Sequence, residues 1–149
     1  QALDLVGRKL PMHMGRLLRR FFHPVDRFIA EHKDAAALQE FVLPLAKALG
    51  KLQQATVLIA QRGLKNPDEA AAAASDYLRL FGLTASAFMW ARMAKISLAK
   101  SAGDEAWFYK GKLATARFFM SRLLPETSSL LTIISAGAKP IMELEAEAF

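Results

Sequence analysis

The segment Ser97-Leu98-Ala99-Lys100 has the spacing of a serine nucleophile and the lysine that assists it. In enzymes with a Ser-x-x-Lys motif, the two side chains lie one helical turn apart, within reach of each other. This sequence has no companion motif, and its surroundings are helical rather than mixed α/β. A serine and a lysine on the surface of a helix is therefore the simpler interpretation.

The three histidines do not have the spacing of a metal site. His13, His23 and His32 lie ten and nine residues apart, whereas two ligands on one helical face need a spacing of about three or four residues. No run of carboxylates accompanies them in the sequence. We therefore predict that the chain has no metal site and that the histidines lie at surface or capping positions.

Two acidic pairs, Asp68-Glu69 and Asp104-Glu105, could suggest acid–base chemistry. Both precede stretches with a helical pattern of apolar residues. Carboxylates are favoured at the start of a helix because its dipole and its free amide groups are positive there. We interpret both pairs as helix-initiating residues, and we predict no catalytic residue in this chain.

A basic and aromatic segment near the start of the chain is the most suggestive local patch. It comprises Arg16, Arg19, Arg20, Phe21 and Phe22. The patch is either a docking helix, with leucines and phenylalanines in the core and arginines reaching acidic groups, or a contact with an anionic membrane. The sequence has no glycine-rich phosphate loop and no aromatic RNA-binding motif, so we predict no nucleic-acid partner.

Composition narrows the class of protein further. The chain has 149 residues, of which 53% are apolar and 23% charged, which is typical of a globular domain. It has no cysteine, which excludes disulfides, thiolate nucleophiles and cysteine-bound metals. The net charge of +6 is uneven: residues 1–33 carry +4, while residues 140–149 carry three acidic and no basic residues. The basic residues 1–33 are expected to lie against the acidic residues 140–149 or against an anionic partner.

The positions that could do chemistry must be held by helices, because helix-forming residues dominate and no run alternates with the period of a strand. Six helices are predicted, at about 1–10, 14–32, 34–62, 67–101, 104–124 and 126–136. Asn66 and Pro67 give the clearest helix start, with Asn66 as the N-cap residue. Pro24 and Pro44 are expected to break or bend their helices. Gly63 and Gly137 are expected to end theirs.

The long third, fourth and fifth helices are joined by short turns, which favours antiparallel neighbours. The predicted fold is all-α, an up-down antiparallel bundle of five to six helices. Aromatic residues of the fourth and fifth helices are expected to fill much of its core. They are Phe81, Phe88, Trp90, Trp107, Phe108, Phe118 and Phe119.

The opening segment from Gln1 to Pro11, QALDLVGRKLP, resembles part of the large bacterial acyl-CoA dehydrogenases, in particular the members similar to 3-methylmercaptopropionyl-CoA dehydrogenase. In that family the segment follows a Tyr-Glu-Gly-Thr turn that ends in Ile-Gln, and the glutamate of the turn is the catalytic base. Gln1 would be the glutamine of that pair. The resemblance continues through the arginine-rich helix to Ile134-Ser135-Ala136-Gly137.

The resemblance implies a longer, cytoplasmic parent enzyme of fatty acid metabolism. The glutamate would remove the α-proton of an acyl-CoA, the β-hydrogen would leave as hydride to FAD, and the electrons would pass to an electron-transfer flavoprotein. The glutamate would lie before Gln1, so this chain alone is expected to be inactive and to bind no FAD. Only Gln1 would lie near the flavin.

The resemblance also implies a division of the chain. Residues 1–12 would be the terminal helix of the upstream catalytic core, and residues 13–149 an accessory C-terminal bundle with a role in assembly. Long family members are typically homodimers, with the extra domain covering surface that a second dimer would use. The alternatives are a membrane-surface docking module and a free-standing helical interaction domain. Because the first helix has apolar residues, we expect it to pack on its own bundle or on a neighbouring copy.

Overall fold

The computed structural model describes residues 1–144 and 146–148, and all regular structure within them is helical. The α-helices are α1 (Ala2–Asp4), α2 (Arg16–His32), α3 (Gln39–Gly63), α4 (Pro67–Lys100), α5 (Ala106–Phe118), α6 (Glu126–Ala136) and α7 (Lys139–Met142). Helices α1 and α5 continue as π-helical turns, Leu5–Lys9 and Phe119–Leu123. Two 3-10 turns lie at Ala36–Leu38, before α3, and at Ala146–Ala148. This confirms the all-α prediction.

Helix α4 begins where the sequence predicts. The side chain of Asn66 accepts a hydrogen bond from the backbone amide of Asp68 at 3.0 Å, and Pro67 occupies the first helical position. The helix has 34 residues, which corresponds to a length of about 51 Å at 1.5 Å per residue. It is therefore long enough to contact every other main helix.

The two helical prolines do not break their helices. Helix α2 runs through Pro24 and α3 runs through Pro44. A proline leaves the carbonyl four residues earlier without its helical hydrogen bond, and here those carbonyls belong to Arg20 and Glu40, which are both exposed to solvent. Packing holds each helix together, because the residue after each proline, Val25 or Leu45, is fully buried.

Two apolar clusters form the core, and both lie between α3 and α4. The first joins the start of α3 to the end of α4, for example Val42 with Ala91. The second joins the end of α3 to the start of α4, for example Ile59 with Ala73. The two helices are therefore antiparallel, as the short turn between them predicts.

Helices α5 and α6 follow one another along α4 in the opposite direction. Lys100 of α4 lies over the ring of Tyr109 in α5, Arg79 pairs with Glu126 at the start of α6, and Arg62 of α3 donates to the carbonyl of Ser135. The two helices thus share one position in the bundle. With α2 beside α3, the result is an up-down bundle of four helical positions, with α1 packed on its side.

The aromatic core differs from the prediction. Phe119 is buried, and Phe81, Phe88 and Trp90 pack against the core, but three of the predicted core residues point to solvent. Their exposed fractions are 77% for Trp107, 42% for Phe108 and 55% for Phe118. Helix α5 instead buries its small and aliphatic face, with Leu113 and Ala116. That part of the prediction is wrong, because aromatic character alone does not define which face is buried.

Candidate functional site

The arginines of the basic segment form an exposed surface on α2. Arg16, Arg19 and Arg20 are exposed and line a shallow recess together with His23 and Asp26. No carboxylate among the described residues lies within 4 Å of these three guanidinium groups. The predicted pairing of these arginines with acidic groups of the same domain is therefore not seen in that part of the chain, and the surface carries positive charge.

The aromatic residues of the same segment point inward. Phe21 and Phe22 are half-buried and pack against both core clusters. The ring of Phe21 lies 4.6 Å from that of Phe81, centroid to centroid. The helix is thus anchored by its aromatic residues and presents its arginines, as the docking-helix interpretation expects. Leu17 is partly exposed beside them.

The first helical segment packs on the bundle through Val6, with Ala2, Leu5 and Leu10 partly buried beside it. Val6 is buried in the second core cluster, whereas Leu3 is largely exposed. Asp4 is held by Arg8 one turn later, with a second hydrogen bond of 3.0 Å from Nη2 to Oδ2. Hydrogen bonding to Arg8 lowers the pKa of the Asp4 carboxyl. The segment therefore packs on its own bundle, one of the two expected arrangements.

An apolar groove of about 600 Å³ is lined by this segment, by the start of α2 and by α3 and α4. Its walls are mainly aliphatic, and they include Leu3, Leu10, Leu18, Ile59 and Leu64. Thr56 is the one lining residue with a polar side chain.

The Thr56 hydroxyl belongs to a buried polar pair. It donates to the carbonyl of Leu52 at 2.7 Å, and Tyr77 Oη lies 2.8 Å from the same oxygen. A threonine hydroxyl has a single proton, so Tyr77 donates to Thr56. Tyr77 is fully buried, and burial raises the pKa of its phenol to about 12. The pair joins α3 to α4 through their side chains.

A turn with positive φ angles separates the first segment from α2. The φ angles are 51° at His13, 52° at Met14 and 74° at Gly15. Glycine adopts such angles at little cost, whereas a side chain with a Cβ rarely does. Gly15 could have suggested a turn, but nothing in the sequence indicates that His13 and Met14 share its conformation. The turn coincides with the predicted boundary between residues 12 and 13.

Gln1, which is predicted to lie near a flavin in the parent enzyme, is the residue directly before α1. Gln1 is exposed, and its carbonyl accepts a hydrogen bond from the amide of Leu5 at 2.9 Å. The groove beside it has apolar walls, and its one polar side chain is already paired. A dinucleotide requires donors for its pyrophosphate, and the side chains of the groove walls offer none, because the Thr56 hydroxyl already donates to the carbonyl of Leu52. The prediction that Gln1 lies near a flavin stays a prediction.

The other candidates from the sequence do not come together. Ser97 is buried, whereas Lys100 lies over Tyr109, with its Nζ 5.6 Å from the ring centroid. His32 contacts Lys95 at 3.1 Å, while His13 and His23 are exposed elsewhere. Across residues 1–144 and 146–148, no group of three potential ligands could hold a metal ion.

The acidic pairs precede helices, as predicted. Asp68 and Glu69 lie in the first turn of α4, and Glu69 also pairs with Arg62 at 3.8 Å. Asp104 and Glu105 directly precede α5, which begins at Ala106, two residues later than predicted. Within the described part of the chain, no helix has the length and apolar character needed to cross a bilayer.

Comparison with known proteins identifies the class to which this bundle belongs. A family described as acetyl-CoA dehydrogenase C-terminal like matches residues 21–145. The match spans most of α2 and all later main helices. The chain therefore belongs to this family, as the resemblance of its opening segment suggests.

Three curated relatives are similar to the chain. One is the 3-methylmercaptopropionyl-CoA dehydrogenase of Ruegeria pomeroyi, 32% identical over 87% of this chain and 22% of that protein. Another is the broad-specificity linear acyl-CoA dehydrogenase FadE5 of Mycobacterium tuberculosis, 27% identical over all of this chain and 26% of that protein. The third is the butyryl-CoA dehydrogenase of Syntrophomonas wolfei, 25% identical over all of this chain and 25% of that protein. The chain thus spans about a quarter of the length of these relatives.

Proposed function

We propose that this chain is the helical C-terminal domain of a longer FAD-dependent acyl-CoA dehydrogenase, which oxidises an acyl-CoA to the 2,3-enoyl-CoA in the cytoplasm. The observation that carries the proposal is the family match over residues 21–145, together with relatives named acyl-CoA dehydrogenases that are about four times longer. The residues for the reaction itself are proposed to lie in the upstream part of the protein.

In the proposed enzyme, FAD supplies the acceptor for a hydride from the acyl β-carbon. The α-proton is taken by a glutamate carboxylate upstream of Gln1, and electrons then leave to an electron-transfer flavoprotein. This chain contributes no group to those steps. Its Gln1 is proposed to lie near the flavin, and its exposed position at the start of α1 leaves it accessible to an upstream domain.

Residues 1–12 are proposed to end the catalytic core, and residues 13–149 to form the accessory bundle. The positive-φ turn at residues 13–15 supports a boundary there. Val6 is the one buried residue in the first twelve, while Leu3 and the apolar groove remain open to solvent. An upstream core that packs against this surface would bury apolar area and add about 25 cal/mol of stabilisation per Å².

The bundle is proposed to act in assembly of a homodimer. Its own contacts are suited to a rigid body: two cores share α3 and α4, and long-range ion pairs join distant elements, such as Arg117 with Glu40 at 2.8 Å. A rigid body of this kind can cover one surface of a catalytic core and so limit how subunits associate.

Flavin spectroscopy of the full-length protein tests the proposal. The purified protein is expected to show the absorbance of bound FAD and to lose it when an acyl-CoA is added without oxygen. The 149-residue chain alone is expected to show neither property. A full-length protein without bound flavin, or with a flavin that no acyl-CoA reduces, would overturn the proposal.

Membrane docking is a second candidate, favoured by the three exposed arginines of α2 without a carboxylate within 4 Å among the described residues. The test is co-sedimentation with anionic vesicles at low salt, where screening is weakest. Replacing Arg16, Arg19 and Arg20 by glutamine should abolish binding. The matched control replaces three exposed lysines elsewhere, Lys47, Lys65 and Lys110. No binding by the unmodified chain would exclude this function.

A further inference from the structure

Helix α5 presents an apolar face to solvent. Trp107, Gly111, Ala114 and Phe118 are all exposed, and their spacing of four, three and four residues places them on one side of the helix. The opposite side, with Leu113 and Ala116, packs on the bundle. Exposed apolar faces of this kind usually mark an interaction surface.

The four residues form a pattern that is symmetric about its centre. Small residues lie in the middle and large aromatic residues at both ends. If a second copy of α5 is laid antiparallel on the first, Trp107 meets Phe118 of the other copy at each end, and Gly111 meets Ala114 in the middle. This is the self-complementarity that a two-fold interface requires, because one surface must match itself.

There is space for such an approach over the middle of the helix. A Cβ added to Gly111 would have no atom within 4 Å, and Ala114 beside it is exposed. Two helices approach closely where their facing residues are small.

Charges at the two ends of the helix favour the same antiparallel arrangement. Asp104 and Glu105 precede α5 and are exposed, whereas Arg122 follows it and is also exposed. None of these three makes an ion pair with a described residue. In an antiparallel pair, the acidic end of each helix lies near the basic end of the other. Arg117 does not compete for these carboxylates, since Glu40 already holds it.

The same charges disfavour an anionic membrane as the occupant. Trp107 and Phe108, near Lys110 and Lys112, could lie on a lipid surface. The carboxylates directly before Trp107 would then face the lipid phosphates and repel them. A second protein copy with a basic residue in that place is the better match.

We propose that the exposed α5 face, formed by Trp107, Gly111, Ala114 and Phe118, pairs with the same face of a second copy in an antiparallel two-fold contact. This inference rests on the assembly role proposed above and names the partner and the surface. It does not depend on flavin or on catalysis. Its outcome and that of the flavin test are therefore separate.

The first test blocks the close approach of the helices without disturbing the fold. Gly111→Leu places a large side chain in open space at the centre of the face. The matched control, Gly50→Leu, makes the same change at an exposed glycine in the middle of α3, where a Cβ also has no neighbour within 4 Å. Light scattering should show that the unmodified chain and the control dimerise with rising concentration, while Gly111→Leu stays monomeric. The melting temperature of the Gly111→Leu monomer should not be lowered, because leucine forms a helix more readily than glycine. An unmodified chain that is monomeric from micromolar to millimolar concentration overturns the proposal.

A cross-linking test gives the geometry. The chain has no cysteine, so a single introduced thiol reports without background. Ala114→Cys lies near the proposed two-fold axis and should form a disulfide dimer on mild oxidation, whereas Val57→Cys, exposed on α3, should not. The same pair is then made in the full-length protein. If the thiol of Ala114→Cys is protected from labelling in the full-length protein and does not cross-link, the upstream core covers the α5 face. If the α5 face inserts into anionic vesicles instead, its partner is lipid. Either result overturns the pairing.

Discussion

Tyr77 is the largest side chain that the bundle buries completely, and its hydroxyl has one partner, the oxygen of Thr56. The sequence predicts neither the burial nor the partner. Tyr77 lies in the same helix as two phenylalanines, Phe81 and Phe88. The pattern of apolar residues in α4 does not single out one face, because much of the helix is contacted by neighbours on two sides. Its role emerges only when α3 is packed against α4.

The titration of Tyr77 should therefore be displaced far from that of a free tyrosine. The variant Tyr109→Phe leaves Tyr77 as the only tyrosine in the chain. Absorbance at the phenolate band should rise with a midpoint at about pH 12, because burial raises the pKa of Tyr77 to about 12. A midpoint near 10, the ordinary value for tyrosine, would show that the phenol is solvated.

The raised pKa of Tyr77 also makes the free energy of unfolding depend on pH. The folded pKa is raised above the unfolded one, so the stabilisation is fully present below about pH 10 and is lost as the pH rises toward 12. The loss should approach about 1.4 kcal/mol per pH unit in that window. Denaturant unfolding of the unmodified chain and of Tyr77→Phe at several pH values measures it. Because the lysines titrate in both proteins, the difference between the two slopes isolates Tyr77, and equal slopes would contradict the assignment.

Gly137 ends α6 with a φ of 76° and a ψ of −168°, a conformation that is essentially restricted to glycine. A Cβ there would lie 2.7 Å from a carboxylate oxygen of Glu69 and 3.1 Å from Arg62 Nη1. The sequence predicts that the helix ends at this glycine, but it does not predict that the Arg62–Glu69 ion pair lies directly beside it.

Gly137→Ala should destabilise the chain by about 2 kcal/mol, because the backbone is strained and the Arg62–Glu69 pair must move. Thermal and urea unfolding measure the effect. The matched control is Gly82→Ala, an exposed glycine inside α4 with open space around its Cα. There the change should be neutral or stabilising by up to about 1 kcal/mol. Equal effects at both positions would contradict the account of Gly137.

At the scale of elements, the sequence predicts the long helices well. The start of α4 is predicted from Asn66 and Pro67 because a local hydrogen bond determines it. The predicted C-cap of α3 at Gly63 is one residue early, since Gly63 is the last helical residue and Leu64 is the C-cap. The break that Pro24 could have caused does not occur, since the packing of Val25 outweighs one lost hydrogen bond; the expected bends at Pro24 and Pro44 stay predictions. The exposed aromatic face of α5 could not be predicted, because the spacing of aromatic residues does not reveal which side meets the bundle.

The cap of α4 can be tested directly. Asn66→Ala removes the acceptor for the amide of Asp68 and should destabilise the chain by about 1 kcal/mol. Asn66→Asp keeps an oxygen acceptor at this position and should retain most of the stability. Unfolding by urea measures both variants. If alanine and aspartate were equally stable, the side-chain cap would contribute nothing.

At the scale of the whole molecule, the family match and the all-α bundle lead to the same class of protein. The opening segment suggests the family, and the match over residues 21–145 shows it independently, because it lies outside that segment. The positions of the arginines, the groove and the positive-φ turn come from the structure alone. They define surfaces at the start of the domain rather than a catalytic constellation, which is consistent with a domain that packs against a longer enzyme.

We propose that residues 13–149 govern assembly of an acyl-CoA dehydrogenase without taking part in its chemistry. The most direct measurement is light scattering combined with flavin absorbance, on the full-length protein and on the same protein lacking residues 13–149. We predict that the full-length protein is a dimer and that the deletion changes the number of subunits, while each subunit keeps its FAD and its reduction by acyl-CoA. An unchanged number of subunits would contradict the claim.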